Sequence, residues 1–267
     1  MSVLDALDPK YRVILCDVWG VVHDGIALYP GAAERLRQWR NQGRCVILIT
    51  NAPRTSEAVS HQLERLGLPH DCWDGISTSG EAGIEALSAL HMPVGFVGTR
   101  GDRVILEGRG VRIADSEGFT DLACTGITEE RHDPQDYRAD LKRWAARDVL
   151  MHCLNPDRVV MRGGVLEACA GAIADLYEQV GGRVTWYGKP HETIYRHALH
   201  ISGDPHPDEV LAVGDGLLTD MLGAARERFD AIFVSGGIHA GEPFPPDFSK
   251  DHSLGDWMPV AMVEGLA

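Results

Sequence analysis

Asp17, Lys189, Asp215 and Asp220 are the side chains whose types and settings best suit catalysis. Asp17 closes the apolar run Val13-Ile14-Leu15-Cys16 and precedes a turn at Gly20. An acid at the C-terminal end of a buried strand, ahead of a glycine turn, is a common catalytic address in α/β proteins. In VGDGLLTD, Asp215 ends a second such run, Gly216 turns the chain, and Asp220 follows one turn later. Two carboxylates there, near Asp17, form a hard oxygen-donor set for Mg2+. The plainer alternative is a helix cap at Asp215 and a solvated Asp220. Lys189 stands just before Pro190, which suits a helix's first turn. A fixed ammonium there could pair with a carboxylate nucleophile and a phosphoryl group; an ordinary exposed lysine is the other reading. Thr50-Asn51 close ILITNAPRT. A hydroxyl and backbone N–H groups at a strand end can cradle a phosphoryl oxygen, although the same residues also serve as a helix-entry turn.

Bringing these groups together requires alternating strands and helices. A strand over about 12–22, a helix from Pro30-Gly31 through Trp39, the strand RCVILITN and a helix from Thr55 or Ser56 through Leu66 fill the first third. VTWYGK, HETIYRHAL, DEVLAVGDG, LTDMLGAARE and DAIFVSGG alternate in the last third. This order predicts an α/β fold, a Rossmann-like parallel sheet core with helices on both faces. The middle carries its own strands (PVGFVGT, DLACTGI, VLMHCLN) and helices (PQDYRADLKRWAAR, VLEACAGAIADLYEQV). It reads as an inserted α/β cap domain over 78–187, with the discontinuous core over 1–77 and 188–267. The tail PFPPDFSKDHSLGDWMP reads as a proline-rich loop before a short final helix.

Composition narrows the class. Lys and Arg total 25 against 39 Asp and Glu, a net charge of −14 that argues against a nucleic-acid partner. No apolar run is long enough for a membrane span, and MSVLDALDPKYR lacks a secretory signal's basic-then-apolar order, so a cytoplasmic protein is expected. The six cysteines include no C-x-x-C pair and read as buried free thiols. Of twelve histidines, His197 and His200 fall three apart on a helix, where surface placement is expected.

The four segments in this order resemble the haloacid dehalogenase-like (HAD) superfamily. TNAPRT and GDGLLTD, with a large domain between the second and third, are similar to its subfamily IIA phosphatases, and Cys153-Leu154-Asn155-Pro156-Asp157 is similar to their cap segment ending T-N-P-D, with Leu154 in place of threonine. The resemblance implies Asp17 as a nucleophile forming an aspartyl-phosphate, Thr50 and Asn51 at the phosphoryl group, and Lys189 holding both anions. It implies Mg2+ bound by Asp17, Asp215 and the backbone carbonyl of Trp19, with Asp220 supporting the metal site and the lysine. The implied partner is a small phosphorylated metabolite, a sugar phosphate among the candidates, and a homodimer is a further expectation because caps of this type often pair.

Trp19 departs from the family. The phosphatases place an aspartate there, which protonates the leaving alkoxide and then activates water. An indole does not titrate usefully, whereas its backbone carbonyl serves the metal as well as any other. His23 and Asp24, in the flap that follows, are candidate replacements. Two alternatives come from this departure: a non-catalytic phosphate-ligand binding protein on the same fold, and a metal-free haloacid dehalogenase, whose relatives carry tyrosine at this position. The pair Asp215 and Asp220 argues against the dehalogenase. Asn155, Asp157, Arg158 and Arg162 in the cap, and Arg54 after TNAP, are candidate substrate readers, with an Asn-Pro-Asp turn as the structural alternative.

Overall fold

The computed structural model describes residues 3–162, 165–237 and 244–267. In chain order it runs β1 (Val13–Asp17), α1 (Ala32–Asn41), β2 (Cys45–Thr50), α2 (Ser56–Arg65), β3 (Gly75–Thr78) and α3 (Ser79–Ser88). Then come β4 (Gly95–Val97), α4 (Arg100–Gly108), β5 (Asp121–Cys124), α5 (Arg138–Ala145), β6 (Leu150–Cys153), β7 (Val159–Arg162), β8 (Val165–Ala168), α6 (Ala170–Gln179) and β9 (Arg183–Trp186). The chain closes with α7 (Glu192–Ile201), β10 (Val210–Gly214), α8 (Leu222–Arg226), β11 (Asp230–Val234), α9 (Phe248–Asp251) and β12 (Ala261–Val263). Two compact units result: Met1–Thr50, Ser56–Ser77 and Lys189–Ala267 form one, and Asn51–Thr55 with Thr78–Gly188 form the other.

The first unit is built on a six-stranded sheet in the order β12-β11-β10-β1-β2-β3. The pairs β1–β2, β1–β10, β10–β11 and β11–β12 are parallel. Every residue of β1 and β10 is buried, as expected of central strands covered on both faces, and this is why both read as unbroken apolar runs. One face of the sheet presents Val13, Leu15, Ile47, Ile49 and Phe233 to Ile194 and Tyr195 of α7 and to Leu222 of α8. Phe244, Phe248 and Trp257 of the tail join that cluster. The expected final helix is instead the strand β12, paired to β11 from Ile232↔Ala261 to Val234↔Val263. A three-residue strand owes its existence to its neighbour and leaves little periodicity to read.

The second unit has a four-stranded parallel sheet, β4-β5-β6-β9, and the antiparallel hairpin β7-β8. Its core packs Leu122, Met151, Tyr137, Leu141, Ile173 and Tyr177, and the Tyr177 hydroxyl donates to the Val149 carbonyl at 2.6 Å. Two expectations are corrected here. The strand in VTWYGK is β9, which pairs with β6 in this sheet rather than adding to the first unit's. Residues 165–168, expected to start a helix, form β8 opposite β7, and α6 begins at Ala170. In both cases the backbone's partner is distant in sequence, so local pattern could not select it.

Candidate active site

Parallel register collects the reactive side chains at one end of the first unit's sheet. Asp17 lies opposite Ile49 on β2, one residue before Thr50, and Cys16 lies opposite Val213 on β10, two residues before Asp215. Asp17, Asp215 and Asp220 are 6%, 2% and 4% exposed, and each offers a carboxylate oxygen within 4.8 Å of the others. Lys189, buried itself, donates from Nζ to Asp17 Oδ1 at 2.6 Å and to Asp220 Oδ1 at 2.7 Å. Alternation of strand and helix therefore converts four positions spread over the chain into one charged cluster.

The turn after β10 shapes the acidic side. Leu217–Met221 is π-helical, with Met221 N–H donating to the Gly216 carbonyl at 3.0 Å; single π turns recur at functional sites. Asp220 Oδ2 accepts from Gly216 N–H at 3.1 Å and from Thr219 Oγ1 at 3.2 Å. Gly20 closes the other side: at φ +87 it takes a left-handed backbone, and a Cβ there would stand 2.0 Å from Asp215 Oδ2. Tyr195 backs the turn, its hydroxyl donating to the Thr219 carbonyl at 3.4 Å. Thr219 and Tyr195 escape a reading of the sequence, because one looks like a neighbour of Asp220 and the other like an ordinary core position of α7.

Electrostatics favour a cation here. Burial, then the Asp220 charge, push the Asp17 carboxyl well above the usual carboxylate range, against the pull of Lys189. Burial also works against the Lys189 ammonium, but Asp17 and Asp220 outweigh it and hold Lys189 above its ordinary value. One ammonium thus faces three buried carboxylates. An all-oxygen donor set with excess negative charge fits a hard divalent cation such as Mg2+, which would relieve the repulsion that raises Asp17.

The other predicted residues divide between the units. Thr50 is buried at the end of β2, in the first unit. Asn51, expected to act beside it, belongs to the second unit, where Nδ2 donates to Asp157 Oδ1 at 2.9 Å. Asn155 Oδ1 accepts from Asp157 N–H at 3.1 Å, forming the Asn-Pro-Asp turn. Arg54 is exposed in the second unit, Arg158 pairs with Asp175 at 2.8 Å, and the Arg162 side chain lies outside the described residues. In the first unit's flap, Trp19 is 42% exposed and its ring meets the His23 ring edge-on at 5.4 Å. His23 is buried, and its Nδ1 accepts from Gly25 N–H at 2.8 Å. Exposed Asp24 accepts from Ile26 and Ala27 N–H through Oδ1, both at 2.8 Å, and these backbone bonds, Ala27 first, hold its pKa below the usual value. His197 corrects the surface expectation: it is half-buried and shares a 2.7 Å hydrogen bond with Ser77 Oγ.

This combination of parallel sheet and strand-end carboxylates has known counterparts. Residues 14–112 match the family described as haloacid dehalogenase-like hydrolase, and residues 186–255 match the one described as HAD-hydrolase-like. A hydrolase of the haloacid dehalogenase-like family from Brucella suis 1330 superposes with a TM-score of 0.82 at 34% identity, covering 99% of this chain and 98% of its own. The chain therefore belongs to the haloacid dehalogenase-like hydrolases and is a hydrolase. It is similar to the ribonucleotide monophosphatase NagD of Escherichia coli (strain K12), 29% identical over 252 residues that cover 88% of this chain and 94% of NagD. It is also similar to the 5'-nucleotidase YutF of Bacillus subtilis (strain 168), 24% identical over 93% of this chain and 98% of YutF. Among the described residues, no helix is long and apolar enough to cross a membrane.

Proposed function

We propose that this hydrolase is a Mg2+-dependent phosphatase of small phosphomonoesters that uses Asp17 as its nucleophile. The observation that carries this reading is Lys189 Nζ bridging Asp17 Oδ1 and Asp220 Oδ1 inside a buried three-carboxylate cluster. With Oδ1 held by the ammonium, Asp17 Oδ2 attacks phosphorus. The new O–P bond forms as the ester P–O bond breaks, and water later cleaves the aspartyl-phosphate. Thr50 and backbone N–H groups at the sheet edge bind the phosphoryl oxygens, and Lys189 offsets the repulsion between nucleophile and ester. Asp17, Asp215 and the Trp19 carbonyl would hold Mg2+, with Asp220 in support, and the ion would supply charge neutralisation at the phosphoryl group.

Proton transfer is the weak step in this scheme. General acid–base catalysis is worth about a hundredfold to ten-thousandfold, and Trp19 supplies none of it. His23 and Asp24 are the proposed substitutes, and both are engaged in the flap's own hydrogen bonds. With Nδ1 accepting from Gly25, a neutral His23 keeps its proton on Nε2, and burial lowers its pKa from 6.5, so little imidazolium is present to act as acid near neutrality. The enzyme should therefore prefer esters whose leaving groups need no proton. NagD and YutF make nucleoside monophosphates the first natural substrates to try, beside sugar phosphates. Asn51, Arg54, Asn155 and Asp157 are the proposed readers of the ester's organic part.

The test is phosphate release from nitrophenyl phosphate, sugar phosphates and nucleoside monophosphates, with and without Mg2+, beside Asp17→Asn. Mg2+-dependent release that is fastest for nitrophenyl phosphate and absent in Asp17→Asn is the expected result. Trp19 also favours a second reading, a phosphate-ligand binding protein; saturable binding with no burst of product would replace the enzyme with it. Metal-independent halide release from a haloacid would instead point to a dehalogenase.

A further inference from the structure

The opposite end of the first unit's sheet carries a second charged feature. A basin of about 540 Å3 opens at the start of β2, lined by Arg37, Arg40, Arg44, Cys45, Asp71 and Asp74 among others. Strands rise about 3.3 Å per residue, so the five steps from Cys45 to Thr50 put it about 16 Å from the catalytic edge. Two of its arginines are committed. Arg37 binds Asp71 through two bonds, at 2.8 and 3.1 Å, and Arg40 donates from Nε and Nη2 to Asp74 Oδ1 at 3.0 and 2.6 Å. Arg44 differs: it donates to neutral acceptors, Gln42 Oε1 and the Leu7 carbonyl, and its Nε is buried without a hydrogen-bond partner among the described residues.

Three guanidiniums against two carboxylates leave the basin with an excess positive charge in a chain whose net charge is −14. Hydrogen bonds to neutral acceptors leave the Arg44 charge without a carboxylate partner among them, and guanidinium geometry suits planar or tetrahedral oxyanions. We propose that this basin binds a small oxyanion, a phosphate or carboxylate group, with Arg44 as its principal ligand and Arg37 beside it. The pairs to Asp71 and Asp74 hold Arg37 and Arg40 in place, and the local field opposes that of the whole chain. Burial lowers the Arg44 pKa below its ordinary value, which makes an anionic partner more favourable there than at an exposed arginine.

Cys45 provides a reporter, because it is half-buried on the basin's wall while the other five cysteines are buried. Its rate of labelling by a thiol reagent should be followed in the full chain with EDTA present, while inorganic phosphate, acetate or chloride is added at matched ionic strength. Phosphate, acetate or both should slow labelling saturably, by about tenfold at ten times the dissociation constant, and the arm that protects identifies the oxyanion. Protection should survive in Asp17→Asn and be lost in Arg44→Gln. Should Arg44→Gln fail to fold, Arg37→Gln must weaken protection instead. Equal protection by chloride, protection unchanged in the arginine variants, or protection lost in Asp17→Asn would each overturn the proposal.

Discussion

The two ends of one sheet treat charge in opposite ways. At the N-terminal ends of the strands, Lys10 pairs with Asp230 at 2.7 Å while 46% and 35% exposed, and Arg40 pairs with Asp74 at 2.6 Å at the surface. At the C-terminal ends, Lys189 pairs with Asp17 and Asp220 at 2.6 and 2.7 Å, with all three side chains below 10% exposed. The distances are alike, but the surroundings are not. In water an ion pair gains little over separate hydrated ions. In the interior, removing one partner strands an uncompensated charge. The same pair geometry is therefore a minor fastening at one end and a constraint on both stability and chemistry at the other.

Substitutions should separate the two ends by size of effect. Asp17→Asn should lower phosphate release by more than about ten-thousandfold, as loss of a nucleophile does, with secondary structure intact by circular dichroism. Lys189→Met should cost about 3–5 kcal/mol in urea unfolding with EDTA present. That loss should shrink as pH falls from neutrality: with the Asp17 carboxyl raised further once the ammonium is gone, the native state binds that proton before the unfolded chain does, so acid favours the folded variant. Trp19→Asp should speed alkyl phosphate turnover by about a hundredfold or more through restored proton transfer, with a smaller gain for nitrophenyl phosphate.

Smaller effects follow. Burial lowers the His23 pKa from 6.5, so its contribution to stability is present above that pH and is lost as pH falls through the lower folded value. His23→Gln should therefore lose less stability than the parent chain on acidification below pH 6.5, read from melting temperatures. Lys10→Ala, at the exposed end, should change unfolding free energy by about 0–1 kcal/mol. A larger loss there would mean that the two ends differ less than their exposure implies.

The charged cluster was legible because each member occupies a distinctive local setting. Asp17 and Asp215 follow apolar runs and precede turns, Lys189 precedes proline, and Asp220 lies one turn past Asp215. Parallel strands then leave those ends on one edge. The residues that would read a substrate were less legible. Asn51 looks like a companion of Thr50 in sequence, yet it reaches Asp157 in the second unit. His197 looks like a surface residue of α7, yet Ser77 on β3 draws it into a hydrogen bond.

Periodicity and strand-end chemistry in the sequence determined the parallel α/β architecture and the identities of the four charged residues, because burial on both faces and turn geometry are local demands on residue type. Pairing partners belonged to the tertiary structure alone: β9 joins β6, β8 turns back on β7, β12 edges the first sheet, and Asn51 meets Asp157. Hydrogen-bond donors and acceptors are the same on every backbone, so the choice among distant partners rests on which packing buries the most apolar surface, a property of the whole chain.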